Sequence, residues 1–333
     1  MSAGPGPLLR RWLLIWTGLL ALLALAALTA LVIGPAGKAG PTLAALLGST
    51  PLDPTMATIL WQIRLPRLAV AALVGGSLAA SGLVFQALLR NPLAEPYVLG
   101  VSGGAAIGAI AGFLFGLPAA GTDTLALAGG LASLAIVLLI GRRTGLAAEG
   151  LLLAGVMVNA FASAVILFLL AMSREQSLSS ILFWLMGDLG RAEPARLFAL
   201  AAVVLPGLVL VAGLGQAMNL LVLGGELAAS MGLAVGRVTV LLLVAASTLI
   251  GTTVAQVGPV GFVGLVVPHI LRRIWGADHR LLVPASFLAG AAYLVLCDLA
   301  ARTLPREGEL PVGVVTALFG APLFIVLLGR RRP

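Results

Sequence analysis

Two polar groups stand at opposite ends of one apolar stretch, 65–88: the pair of arginines in Arg64-Leu65-Pro66-Arg67, and the hexapeptide Asn91-Pro92-Leu93-Ala94-Glu95-Pro96. Guanidinium groups are planar forks suited to carboxylates and phosphates. Arg302, at the end of a later apolar run, belongs with the first pair. These three cations read either as lipid-headgroup anchors or as docking points for carboxylates on a soluble partner, where charge complementarity fixes register. Asn91 and Glu95 read as helix caps, or as a constriction where two copies of the chain meet. Asn159, flanked by Met157 and Phe161, lies in the middle of an apolar run. It reads as an interhelical hydrogen bond or as part of a pathway lining.

Other chemistries find no residues to carry them. No nucleophile stands with a base, and no cluster of metal-ligand type is spaced for binding, so the chain is read as neither an enzyme nor a cofactor or metal carrier. The single cysteine, Cys297, is set in an apolar run and cannot close an internal disulfide. His269 and His279 fall at the end of a run and in the next loop, which favours interfacial polar residues over haem ligands. Gly100-Val-Ser-Gly-Gly104 lacks the phosphate-loop spacing, and the pattern GxxxxGKS/T is absent from the sequence. No acid sits mid-run; Asp298 comes nearest. Ion-coupled carriers place ionisable groups or broken helices near the midplane, so that alternative class is weighed and disfavoured.

The elements that must position these residues are membrane spans. The chain has 333 residues, 60% hydrophobic and 10% charged, against about 25% charged in soluble domains. Its mean hydropathy is +1.14. Apolar runs fall near 12–33, 65–88, 97–116, 124–141, 150–172, 195–214, 237–256, 259–274, 281–303 and 311–328. Each is expected to be a helix, because an open strand cannot satisfy its backbone in lipid. The fold class is therefore all-α, a polytopic membrane protein of about ten transmembrane helices, in one domain over 1–333. The first run exceeds a signal-peptide core and is read as a span that stays.

The net charge of +8 flanks apolar runs, so it sets topology and does not point to nucleic acid. With both termini inside, the clusters Arg142-Arg143, Arg272-Arg273 and Arg330–Arg332 all fall inside, with Arg10, Arg11, Arg90, Arg237 and Arg280. Lys38, Arg64, Arg67, Arg174, Arg191, Arg196, Arg302 and Arg306 fall outside. Residues 34–62 form a long outer connection, and Ser179–Gly187 reads as an outer half-helix. Residues 215–236 form a long inner connection, two short amphipathic helices split by Gly224-Gly225 that need a partner for their apolar faces. Gly104, Gly108 and Gly112, and Gly76 with Ala80, are small-xxx-small series for close helix packing.

Several longer motifs then coincide: Arg64-Leu-Pro-Arg67, Gln86 through Pro96, Leu99-Gly-Val-Ser-Gly-Gly104, Trp184-Leu-Met-Gly187, Gly224-Gly-Glu-Leu-Ala228, Gly258-Pro-Val-Gly-Phe-Val-Gly-Leu-Val-Val-Pro-His269 and Glu309-Leu-Pro-Val-Gly313. Over nearly its whole length the chain resembles permease subunits of the FecCD type, the membrane half of ATP-driven importers for ferric siderophores, haem and cobalamin. The resemblance implies ten transmembrane helices, a second permease subunit (a homodimer is expected), two ATPase subunits that hold ATP and Mg, a periplasmic binding protein, and a place in the inner membrane with cytoplasmic termini. It implies that Arg64, Arg67 and Arg302 dock the binding protein. Leu223, Gly224, Gly225, Glu226, Ala229 and Met231 would couple to the ATPase. Asn91 and Pro92 would form the cytoplasmic gate, and Met157, Asn159 and Phe161 would line the pathway.

Overall fold

A computed structural model of the chain describes residues 5–34, 39–46, 48, 53–143, 145–190, 193–305 and 308–329. Lys38, Arg191, Arg306 and Arg330–Arg332, counted in the charge balance, lie outside the described residues. Helices follow the apolar runs: α1 (Pro5–Val32), α2 (Ala39–Leu46), α3 (Pro54–Thr58), a π-helical stretch Ile59–Arg64, α4 (Leu65–Leu88), a 3-10 turn Pro96–Leu99, α5 (Val101–Leu114), α6 (Ala119–Arg143), α7 (Ala148–Met172) and α8 (Glu175–Leu185). The order continues with α9 (Pro194–Gly213), α10 (Gly215–Val222), α11 (Gly225–Ser230), α12 (Val235–Val257), α13 (Val263–Trp275), α14 (His279–Thr303) and α15 (Val312–Gly329).

Among the described residues, seven segments are long and apolar enough to cross a membrane, and α5 and α15 are shorter apolar helices. With α13 they account one for one for the ten expected runs. Three spans form the centre. In their most apolar windows α4 is 78% buried, α12 72% and α14 67%, whereas α1, α7 and α9 are each 22%. Since lipid is as apolar as leucine, the centre is held by close approach of backbones. A Cβ on Gly75 of α4 would run into the Gly290 carbonyl of α14, and one on Gly290 into the Gly75 carbonyl. The expected series Gly104, Gly108 and Gly112 faces α6, against Gly129, Leu125 and Thr122. Gly76 takes the ring of Phe287 on its bare face.

The runs at 97–116 and 259–274 depart from plain spans. Gly100 is left-handed, at φ 73°, and α5 starts only after it. Its 14 residues reach roughly 21 Å, short of the ~30 Å apolar thickness. Gly100 lies against Val158 and Asn159, the middle of α7. Residues 91–100 therefore climb from the end of α4 to mid-bundle as turns and one short 3-10 stretch, without α-helix. The 13 residues of α13 likewise begin mid-bundle, after an irregular stretch at 258–262. Pro92, Pro96, Pro259 and three glycines in these stretches oppose regular helix. Irregular backbone at this depth is tolerated where protein covers it.

Candidate functional site

At one end of the bundle α10 packs on α4, α9 and α14, and α11 packs on α12. Met218 and Leu221 are buried, turning the apolar face of α10 into the protein. Asn219 anchors it: its amide N–H donates to Asp278 at 2.9 Å, and its carbonyl oxygen accepts the His279 backbone N–H at 2.8 Å. Asp278 caps α14 by accepting from the Arg280 backbone N–H, and its ion pair with the Arg280 side chain measures 2.7 Å. Arg280, then Asn219, hold the Asp278 carboxyl down at about 2. Between α10 and α11 the chain turns at Gly224, at φ 115°, where a side chain would be strained.

What this end leaves outward is apolar with one acid. Leu223, Leu227 and Met231 are 57%, 57% and 58% exposed, and Glu226 and Ala229 are exposed beside them. A cleft of about 650 Å³ opens between α11, Leu88, Arg90 and the α6–α7 loop at Leu146. Large exposed apolar side chains rimmed by charge mark a protein contact. Leu223, Gly224, Gly225, Glu226, Ala229 and Met231 are thus brought together on one projecting edge.

At the other end the three arginines are not exposed cations, contrary to the reading from sequence. Arg64, Arg67 and Arg302 are 4%, 8% and 6% exposed. Arg64 donates to the carbonyls of Leu31 and Val32 at 2.6 and 3.3 Å, and Arg302 reaches the Ala30 carbonyl at 3.4 Å. These are terminal carbonyls of α1 that no turn of helix can satisfy, and cations are favoured there. Arg67 pairs with Asp298 at 2.8 Å and with Glu309 at 2.6 Å, while Arg302 pairs with Asp298 at 3.0 Å. Asp298 is 2% exposed, so a buried carboxylate holds two buried guanidiniums. Glu309, its side chain 43% exposed, carries this network to the surface. Sequence order hid it, because Asp298 lies 231 residues from Arg67.

Mid-bundle, the irregular stretches clasp each other. The Tyr97 hydroxyl donates to the Val260 carbonyl and accepts the Val260 N–H, each at 2.6 Å. Glu95 accepts the Phe262 N–H at 3.1 Å. Phe262, at φ 68°, starts α13 and lies on Gly320 of α15. Gln86 of α4 donates to the Gly264 and Leu265 carbonyls at 3.3 Å and accepts from Arg272 at 2.8 Å. Sequence had placed Glu95 in a turn at the bundle end. The structure instead puts its carboxylate on the first turn of α13. Asn91 does form a turn: its side chain accepts the Leu93 N–H at 2.9 Å, and it is half-buried with Pro92. On α7, Met157 and Phe161 are 60% and 70% exposed, and Asn159 is exposed with no side-chain hydrogen bond among the described residues. The interhelical bond first expected of it is not made among the described residues.

A bundle of apolar spans with an amphipathic helix pair at one end is the architecture of a polytopic membrane protein that leaves an apolar edge for a protein contact. The FecCD transport family model matches residues 20–330, and the chain belongs to that family. It is 41% identical over 286 residues to the uncharacterized ABC transporter permease protein YvrB of Bacillus subtilis, covering 84% of this chain and 81% of YvrB. It is 44% identical over 271 residues to the vitamin B12 import system permease protein BtuC of Salmonella arizonae, covering 80% and 82% respectively. Among solved structures it superposes, with a TM-score of 0.87 and 34% identity, on an inward-facing ABC transporter assigned to the metal-chelate type. That match covers 95% of this chain and 99% of the other. The protein is an ABC importer permease of the FecCD and BtuC type. The ion-coupled carrier weighed from sequence is set aside.

Proposed function

We propose that the chain is one half of a dimeric permease in an inner membrane, and that it passes a bulky chelate from a periplasmic binding protein to the cytoplasm. The substrate class is ferric siderophore, haem or cobalamin. The vitamin B12 relatives and the metal-chelate transporter support that class. The observation that carries the reading is the apolar edge Leu223, Leu227, Met231 with Glu226, presented on helices that Asn219 ties to α14. Two ATPase subunits, holding ATP and Mg, receive that edge in the cytoplasm, where both termini also lie.

ATP-driven closure of the ATPase pair displaces α10 and α11. Asn219 passes the displacement to α14, whose glycine contact with α4 carries it across the membrane. Work is done through states that bind the partners differently. Asn91 and Pro92, at the turn that closes α4, serve as the cytoplasmic gate. Met157, Asn159 and Phe161 line the pathway on the axis between two copies: an exposed mid-span amide meets water or a second protomer there at low cost. Weakly polar walls let a large chelate pass without being held.

On the outer face Arg64, Arg67 and Arg302 dock the binding protein by exchanging acceptors. In the free protomer Glu309 occupies Arg67, and an acidic residue of the binding protein replaces it. The deciding experiment is ATP hydrolysis by this chain co-purified with an ATPase subunit in lipid, with binding protein empty or loaded with haem, a ferric siderophore or cobalamin. One loaded carrier is expected to stimulate hydrolysis severalfold. Failure to form a stable complex with any ATPase overturns the reading.

A further inference from the structure

A groove of about 940 Å³ runs along α1, at the bundle end that carries α10 and α11. Its walls are Leu14, Ile15, Leu19 and Leu22, with Trp275 opposite and the arginines Arg10 and Arg11 at its mouth. None of the transport roles above uses it. We propose that it is a binding site for one anionic phospholipid, with the phosphate on Arg10 and Arg11 and an acyl chain in the notch below.

Several features of the groove point to that ligand. Arg10 is exposed and has no acceptor among the described residues, and the Arg11 bond to the Trp275 carbonyl is long, at 3.4 Å. The neighbouring cations are already engaged: Arg280 on Asp278, Arg272 on Gln86, and Arg273 on the Leu327 carbonyl. Asp278, the nearby acid, is held by Arg280 and Asn219, so the mouth keeps a net positive charge. Gly18 has open space where a Cβ would project, which makes the notch beside Leu14 and Leu22. From Arg10 to Leu22 is twelve residues of helix, roughly 18 Å, close to the ~15 Å of one apolar leaflet plus its headgroup edge. Basic pockets between spans near the membrane surface are a known setting for anionic headgroups. Tryptophan at this level is also typical.

The test uses the full chain, delipidated in mild detergent, with phosphatidylglycerol and phosphatidylcholine of the same acyl chains as probes, and native mass spectrometry as the readout. Phosphatidylglycerol is expected to bind about tenfold more tightly than phosphatidylcholine, consistent with two arginines near the surface. The double variant Arg10→Gln, Arg11→Gln should lose that preference while keeping the same thermal unfolding. Gly18→Leu, which fills the notch and leaves the charge, should weaken both lipids. Equal binding of the two lipids by the unaltered protein overturns the proposal. So does a preference that survives loss of both arginines. A Gly18→Leu variant that changes the oligomer distribution and not the lipid count assigns the groove to a second copy, and also overturns it.

Discussion

The Asn219 side chain donates to Asp278 at 2.9 Å, across 59 residues of sequence. The same amide takes the backbone N–H of His279, so a helix at the bundle's edge is fixed to the first turn of a central span. Asn219→Ala leaves a buried N–H without its acceptor, which costs about 1–3 kcal/mol. The expected result is uncoupling: transport in proteoliposomes falls at least severalfold, while the ATPase subunits still co-purify. Normal transport by the variant would show that α10 moves α14 by packing alone.

The same carboxylate sets a pH dependence. Arg280 and Asn219 hold Asp278 at about 2 in the folded protein, below its ordinary value of 3.8. A depressed carboxyl adds stability above the unfolded value and loses it as pH falls through the folded one. The difference in melting temperature between the unaltered protein and Asp278→Asn should stay flat from pH 8 to about 5, then narrow toward pH 2. A difference that vanishes already near pH 6 would place the effect on another group.

Asp298 lies between two buried arginines, at 2.8 Å from Arg67 and 3.0 Å from Arg302. Asp298→Asn leaves both cations poorly compensated, and breaking a buried pair this way costs about 3–5 kcal/mol. Melting in detergent should fall by many degrees. Adding Arg302→Met removes one orphaned charge, so the double variant should melt above Asp298→Asn alone. Additive losses would argue that the network is already open to water.

Glu309 bonds Arg67 at 2.6 Å with its own side chain 43% exposed. If this carboxylate stands where a docking partner's would, Glu309→Gln frees Arg67 and tightens binding-protein docking severalfold. Arg67→Glu should abolish docking at low salt. Surface plasmon resonance on nanodiscs reads both; unchanged affinity in the two variants would remove Arg67 from the docking face.

The spans were readable because a run of twenty apolar residues has no other stable form in lipid. The helix pair at α10 and α11 was readable as well, since Gly224-Gly225 breaks a short amphipathic stretch. Depth was not. The run at 97–116 looks full length in hydropathy, and only the left-handed Gly100 and the turn at Phe262 show where the two short helices start. The arginines were found but misread as exposed. Their acceptors are a distant acid, Asp298, and main-chain carbonyls at the end of α1, neither of which carries a local signal. Glu95 was likewise placed by its sequence neighbours, while its partner lies 167 residues on.

That partner gives the sharpest test of the mid-bundle clasp. Glu95 accepts the N–H of Phe262, a residue held at φ 68° where non-glycine side chains rarely sit. The bond helps hold a backbone conformation that would otherwise relax, and α13 starts from it. Glu95→Gln keeps an acceptor oxygen at the same reach and should transport nearly as well as the unaltered chain. Glu95→Ala removes the acceptor and orphans the N–H, so melting should drop by the equivalent of about 1–3 kcal/mol. Coupling should loosen too, with ATP hydrolysis continuing and transport falling. If charge were what matters at this position, glutamine would fail as badly as alanine. Comparing the two variants in one vesicle assay separates a hydrogen-bond acceptor that positions a half-span from a carboxylate that meets the cargo.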